Sequence, residues 1–275
     1  MNKLLNNLGI KAINTLGIGQ ICIVYWNLLL SFPSLIRNKN LVALDKRISS
    51  LSNLNIKHKF GSFKVSPKNI DTKIIEEGSY AFSSVRELYI KDCYFKFHKD
   101  LNPKDVRVVV DLGANRGMFS TLCSSFCEKI IIVEVQKQYN TVIEGNLAYT
   151  GFKNFKIFNK FIGTEGKFKG NEGNGLEFIS FTELLKQSNV EVIDFLKIDI
   201  EGSEFTLFNE DLPLNKVRYL SMEIHRDYGD VEEIIKKLKH NNFSTITSTS
   251  EFEQTNDVSK IDYLYAKNLS FNSND

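Results

Sequence analysis

Val108-Val-Val-Asp-Leu-Gly-Ala-Asn-Arg-Gly117 and Ile130-Ile-Ile-Val-Glu134, a second β-branched run closed by an acid, decide the reading of this 275-residue chain. The first run ends in Asp111 and a tight glycine turn, and a helix-length segment separates the two. Strand, turn, helix, strand and acid in that order predict a βαβ unit with a nucleoside site at its carboxyl edge. A dinucleotide fingerprint needs G-x-G-x-x-G so that backbone can close on a pyrophosphate at the helix N-terminus. Here Gly113 and Gly117 are present, Asn115 stands at the middle position, and no third glycine follows at dinucleotide spacing. Asn tolerates a left-handed backbone, so the turn still forms. Asp111 suits a cationic or amino-bearing ligand and repels a pyrophosphate, while Glu134 can accept hydrogen bonds from both ribose hydroxyls. These details favour S-adenosylmethionine.

Downstream, Asp194-Phe-Leu-Lys-Ile-Asp-Ile-Glu-Gly-Ser-Glu204 reads as a short buried strand that expels charge at its end. Tyr219-Leu-Ser-Met-Glu-Ile-His225 reads as another strand ending in an acid and an imidazole. Asp199 also reads as a helix cap, and Glu201 and Glu204 as acids favoured by a helix dipole. His58, His98 and His240 lack such a setting and read as surface or packing residues.

With these segments in view, the chain resembles the FkbM-type methyltransferases, a family of S-adenosylmethionine-dependent O-methyltransferases. The matching residues are Asp111–Gly117, Glu134, Asn146, Lys197–Glu204 and Glu223-Ile-His225, and the resemblance covers roughly residues 60 to 268. Val135 stands where the family often has Pro, and Phe181-Thr182 where it often has Leu-Asp. The resemblance implies methyl transfer by in-line displacement to a sugar, glycan, lipid-linked or secondary-metabolite hydroxyl. Positioning is the larger contribution, but a hydroxyl also needs its proton removed. His225 is the leading base and Asp199 the alternative. Asp111, Gly113, Asn115, Gly117, Glu134 and Asn146 are the expected cofactor residues, with Asn146 orienting a loop or the cofactor. Asp199, Glu223 and His225 also make a candidate oxygen-and-imidazole set for Mg²⁺ or Mn²⁺.

The remaining sequence predicts an α/β fold. Strands are expected at Arg107–Asp111, Lys129–Glu134, Phe155–Phe161, Phe195–Asp199 and Tyr219–His225, with helices near Met118–Phe126, Gln138–Thr150, Thr182–Gln187 and Val231–Asn241. Such alternation implies a Rossmann-like methyltransferase fold with a mostly parallel sheet. Phe243–Thr249 and Ile261–Lys267 close it as an antiparallel edge hairpin. Ser83–Asp92 reads as a helix, Glu177–Ser180 as strand-like, and Phe60–Val65 with Thr72–Ile75 as a small entry hairpin. The division expected is an N-terminal helical, apolar extension at 1–59, a methyltransferase domain at 60–268 and a polar tail at 269–275. Gly163–Gly175, with five glycines, and the segment before Asp105 are the expected acceptor walls.

Composition adds exclusions. Net charge is +2 and the basic residues are scattered, which argues against a nucleic-acid groove. Cys22, Cys93, Cys123 and Cys127 show no metal spacing, and the last two, four apart on an expected helix, read as small apolar residues of one face. The simplest setting is the cytoplasm. Ile18–Phe32 is mostly apolar and ends at Pro33, shorter than the roughly 18–20 residues of a spanning helix and interrupted by Gln20 and Asn27. Three readings stay open for it. The helix docks on protein, spans a membrane, or lies on a membrane surface with Tyr25 and Trp26 as anchors and Arg37, Lys39, Lys46 and Arg47 behind them. Residues 34–59 read as a polar helical or linker segment. Two other classes compete for the whole chain. An oxidoreductase is disfavoured by the missing glycine and by no obvious Tyr-x-x-x-Lys pair near the site. A non-catalytic scaffold has no physical need for Asp111, Glu134 and Asp199 at one crevice.

Overall fold

Leu54, Ile56, Phe63 and Val65 are buried while Asn55, Lys57, Ser62 and Lys64 between them face water, the alternation that a two-stranded antiparallel hairpin requires. The computed structural model describes residues 10–50, 53–73, 80–163, 177–210 and 212–271. The chain divides into two compact units. One comprises Met1–Cys93, Arg116–Ser125 and Gln138–Lys153; the other comprises Tyr94–Asn115, Phe126–Lys137 and Asn154–Asp275.

The first unit starts with helix α1 (Ile10–Asn38), whose backbone leaves helical geometry at Gly17. Helix α2 (Val42–Ser49) follows, then the hairpin of β1 (Leu54–His58) and β2 (Gly61–Val65). Helix α3 (Pro67–Lys73) begins at Pro67, whose missing N–H costs nothing at a first helical position. Helix α4 (Ala81–Ser84) winds on into a π-helical stretch, Val85–Ile90. Two further helices cluster here, α5 (Met118–Cys123) and α6 (Asn140–Thr150). The buried Asp45 carboxylate accepts from Arg86 Nε at 2.9 Å and Nη2 at 2.6 Å, a bidentate pair between α2 and the π-helical stretch.

This unit corrects three sequence expectations. The entry hairpin pairs β1 with β2, not Phe60–Val65 with Thr72–Ile75, and Thr72 lies in α3; residues 74–75 lie outside the described residues. The segment 34–59 is helical through the end of α1 and α2, as expected, but closes in the strand β1, because Leu54 and Ile56 find a buried face that a composition rich in Lys, Asn and Ser conceals. Helix α1 also runs through Pro33 to Asn38, with Ser31 Oγ and Asn38 Nδ2 making side-chain hydrogen bonds on either side of it.

The second unit is built on β3 (Val108–Leu112), β4 (Lys129–Val133), β5 (Phe155–Phe158), β8 (Ile193–Ile198), β9 (Val217–Glu223), β10 (Phe243–Ser248) and β11 (Tyr263–Asn268). They form one sheet in the order β10-β11-β9-β8-β3-β4-β5. The five from β5 to β9 are parallel, and β11 runs antiparallel to both β9 and β10. Two short strands, β6 (Phe161–Ile162) and β7 (Phe178–Ile179), pair apart from it. Helices α7 (Phe181–Ser188), α8 (Glu204–Phe208) and α9 (Val231–His240) pack their buried residues, among them Leu184, Leu207 and Ile234, into the same core as Val110, Ile131, Leu196 and Leu220 of the sheet. Every residue of β8 is buried. Such continuous burial explains why β3, β4 and β8 read as apolar runs without alternation.

Two buried polar groups, Asp194 and His98, are satisfied within this unit. Asp194 Oδ2 accepts from the backbone N–H groups of Arg107 at 2.9 Å and Val108 at 2.8 Å, and Oδ1 accepts from Arg218 Nη1 at 3.2 Å. His98 lies 2.8 Å from Ser221 Oγ. That hydroxyl donates its one proton to the Tyr94 carbonyl, so His98 Nε2 carries the hydrogen and donates to it.

In the first unit, Arg86→Leu leaves Asp45 buried without its partner. Loss of about 3–5 kcal/mol of stability is expected for breaking such a pair, measured as a lower urea midpoint at unchanged slope.

Candidate active site

In a parallel sheet of this kind, ligands bind beyond the carboxyl ends of the strands. At that end β3 delivers Asp111 and then turns through Gly113, whose φ of +76° is left-handed. A Cβ on Gly113 would lie 1.7 Å from the Asp199 carbonyl oxygen, so the turn is pressed against the end of β8 and only glycine fits. The Asp199 N–H completes the contact by donating to the Leu112 carbonyl at 3.1 Å.

Lys197 joins these ends. Its Nζ is buried 3.2 Å from Asp111 Oδ1 and 3.4 Å from Asp199 Oδ2, and it donates to the Gly113 carbonyl at 2.6 Å and the Leu112 carbonyl at 3.3 Å. Burial works against its charge, but the two carboxylates outweigh burial and hold its pKa above the ordinary lysine value. Asp199 Oδ2 also accepts the Tyr94 hydroxyl at 2.9 Å.

Glu134 follows the last residue of β4. Its Oε2 accepts the Asn115 N–H at 2.7 Å and its Oε1 the Gln136 N–H at 2.8 Å. Asn115 has φ of +49°, the left-handed geometry that its side chain was expected to allow. Burial raises the Glu134 pKa, and the Gln136 and Asn115 amides offset part of that rise. In the first unit, Gly117 is also left-handed, and a Cβ there would come 3.0–3.2 Å from Ile143. Asn146 Nδ2 donates to the Arg116 carbonyl at 3.0 Å.

A third group lies between β8 and β9. After Asp199 the chain turns through two left-handed residues, Glu201 (φ +53°) and Gly202 (φ +94°). The buried Glu204 then accepts the Gly202 N–H at 2.9 Å and the His225 N–H at 2.7 Å, and its Oε1 lies 3.0 Å from His225 Nδ1. His225 Nε2 lies 3.3 Å from Glu201 Oε2. The hydrogen bond to Glu204 is the largest influence on the imidazole and, with the nearby acids, overcomes burial to raise its pKa to about 9. His225 is therefore an imidazolium at neutral pH, not a free base.

Asp199, Glu201 and His225 present ligand atoms within 4.8 Å of one another. This corrects the expected metal set, in which Glu223 held the place of Glu201. Glu223 is the last residue of β9 and pairs with Tyr263, whereas the left-handed turn swings Glu201 toward the imidazole. Among the expected residues, Asp111, Asp199 and His225 take part in charged contacts, while Glu134 is held by backbone amides. Lys197, Tyr94 and Glu204 were not assigned site roles from sequence. A lysine flanked by Phe195, Leu196 and Ile198 in a buried strand was the available signal for Lys197. Tyr94, distant in sequence from Asp199, offered none.

The sheet numbered along its own seven strands runs 3-2-1-4-5-7-6 with strand 7 reversed, and this arrangement defines a Rossmann-like methyltransferase fold. Residues 176–245 match the family model of the methyltransferase FkbM domain, the family that the sequence motifs resemble. That match includes Lys197, Asp199, Glu204 and His225 and stops short of Asp111 and Glu134. No curated protein matches the chain. Among solved structures, an rRNA methylase from Streptococcus thermophilus is 15% identical with a TM-score of 0.39, over 60% of this chain and 89% of that one. A precorrin-6y C5,15-methyltransferase from Geobacter metallireducens is also 15% identical at 0.39, over 60% and 80%. The TrmK of M. capricolum, solved with S-adenosylhomocysteine, is 10% identical at 0.38, over 60% and 62%. Likeness at this level carries nothing about substrate.

His225 is expected to titrate near pH 9 by nuclear magnetic resonance. Its stabilising contact is complete below the unfolded value of about 6.5 and is lost as pH rises through the folded value. Glu204→Gln removes the main cause and should return the midpoint toward the ordinary imidazole range.

Proposed function

We propose that this protein is an S-adenosylmethionine-dependent O-methyltransferase that methylates a hydroxyl of a sugar, glycan, lipid-linked or secondary-metabolite acceptor. The observation that carries the cofactor reading is the state of Glu134. Each of its oxygens accepts one backbone N–H, and a carboxylate oxygen has room for two hydrogen bonds. The carboxylate is thus fixed in direction and keeps one acceptor site per oxygen, a match for the two adjacent hydroxyls of a ribose.

Bound S-adenosylmethionine supplies an activated methyl group on a positively charged sulfur. The chain has to hold an acceptor hydroxyl in line with that group and take one proton. With His225 held as an imidazolium by Glu204, Asp199 becomes the proton acceptor in this reading and His225 the group that orients the acceptor oxygen. Lys197 and the Tyr94 hydroxyl fix Asp199 Oδ2, which leaves Oδ1 to face the acceptor. This reverses the order of roles that the sequence alone suggested.

A cavity of about 1050 Å³ adjoins the group, sharing Glu201 and Gly202 with it and lined further by Phe205, Asp227, Tyr228 and Glu233. The Tyr228 ring crowds the space over Gly202 and is well exposed. An exposed ring beside several carboxylates suits a polyhydroxylated acceptor, whose C–H face stacks while its hydroxyls donate. The expected Gly163–Gly175 wall falls, apart from Gly163, outside the described residues.

Calorimetry with S-adenosylhomocysteine should give micromolar binding to the wild type, and Glu134→Ala should lower the affinity at least tenfold, roughly the loss of one hydrogen bond to a charged group. No binding to the folded wild type would favour a scaffold that kept the fold. Radiolabelled methyl transfer to a panel of methyl hexopyranosides tests the roles. Asp199→Asn is expected to lower turnover about 10²–10⁴-fold with S-adenosylhomocysteine affinity retained. The wild-type rate should fall as pH rises through about 9, where His225 loses its proton. A rate that climbs through that pH would make His225 the base.

A further inference from the structure

Helix α1 is apolar on more sides than its own unit can cover. Leu16, Ile21, Val24 and Leu28 are buried, and Gln20 Oε1 accepts the Asn55 N–H of β1, so one face is committed to the protein. The rest is exposed: Ile18 at 75%, Leu29 at 66%, Trp26 at 63% and Ile36 at 62%, with Tyr25 and Phe32 beside them. Between Lys11 and Arg37 the helix has no charged residue. No Asp or Glu precedes Asp45, which is itself buried against Arg86, while Lys11, Arg37, Lys39, Lys46 and Arg47 are all exposed.

We infer that α1 docks the protein onto an anionic lipid surface, lying in the interface with Ile18, Tyr25, Trp26, Leu29, Phe32 and Ile36 in the lipid. Charge complementarity carries the choice. A stretch with exposed cations and no uncompensated acid is matched to anionic headgroups, and Trp and Tyr are the side chains that favour the boundary between acyl chains and headgroups. A second copy of the helix fits less well. Ile18, Cys22, Tyr25, Leu29, Phe32 and Ile36 have the spacing of a coiled-coil seam, but the flanking positions, which in a helix pair carry opposite charges, hold Gly19, Trp26 and Pro33 on one side and Ile21, Leu28 and Leu35 on the other. The helix is also long and apolar enough to cross a membrane, yet a third of that stretch is buried inside the protein, and spanning would strip Val24 and Leu28 of their cover.

Trp26 is the only tryptophan in the chain and sits on the face in question, so the protein carries its own reporter. The wild type is expected to float with phosphatidylcholine vesicles that contain phosphatidylglycerol and not with phosphatidylcholine alone. Trp26 emission should shift to the blue and be quenched more by lipids brominated near the headgroup than by those brominated at the chain ends. Arg37→Gln with Lys39→Gln should weaken vesicle partitioning about 25-fold, at roughly fivefold for each cation removed. Leu29→Asp should abolish flotation while circular dichroism and S-adenosylhomocysteine binding stay unchanged. A wild type that stays unbound with Trp26 unquenched overturns the inference. So does quenching strongest at the chain ends, which means a span, or a lipid-free dimer that Leu29→Asp splits, which makes the occupant a second copy. None of these readouts depends on methyl transfer.

Discussion

The ammonium of Lys197 is the charge on which the carboxyl edge of the sheet depends. Asp111 and Asp199 end neighbouring strands, and without a cation between them both would be buried or half-buried acids with little water to screen them. Lys197 meets both, and its three hydrogens are shared with the carbonyls of Leu112 and Gly113, which lie where β3 enters the turn. Desolvating three charges is expensive, and a well-packed apolar substitute is often as stable. What the arrangement secures is position: one side chain fixes the end of β3, the end of β8 and the direction of Asp199.

The other acids are handled by different means, and the difference divides the labour of the site. Glu134 is held by two backbone amides, so its orientation is set without using up its capacity to accept. Glu204 is fully buried and has three donors, and its work is to hold His225 protonated. Glu201 is exposed and reaches His225 only because its backbone adopts a left-handed turn that costs a non-glycine residue on the order of 1–3 kcal/mol. Three carboxylates thus have three environments: one held by backbone amides, one serving a neighbouring ring, one at the rim.

Much of this was legible in the sequence because it depended on local pattern. The β-branched runs at Val108 and Ile130, the acids that close them, and the left-handed role of Asn115 are consequences of neighbouring residues. The antiparallel closing pair was also readable, since Phe243–Ser248 and Tyr263–Asn268 are strands divided by turn residues. Failures came where partners are remote. β1 is a strand because β2 lies beside it, and its composition alone resembles a linker. The choice of Glu201 over Glu223 near His225 rests on two consecutive left-handed residues, a geometry that glycine announces at Gly202 and nothing announces at Glu201. The imidazole's protonation depends on Glu204, which sequence could place only near a helix terminus.

β8 carries Asp194 at one end and Lys197 near the other, and each is tied to fixed polar partners. Asp194 meets the backbone of β3 and the Arg218 side chain of β9, and Lys197 meets Asp111 and Asp199. An apolar strand buried on both faces has little to tell one alignment with its neighbours from the next, since valine, isoleucine and leucine are nearly interchangeable there. A slip of one residue would turn Lys197 to the opposite face of the sheet and bury it without a counter-charge, while Asp194 would lose its donors. The polar residues of this strand therefore act as indexing marks, and mispaired sheets are rejected by the cost of an orphaned charge and not by any loss of hydrophobic contact.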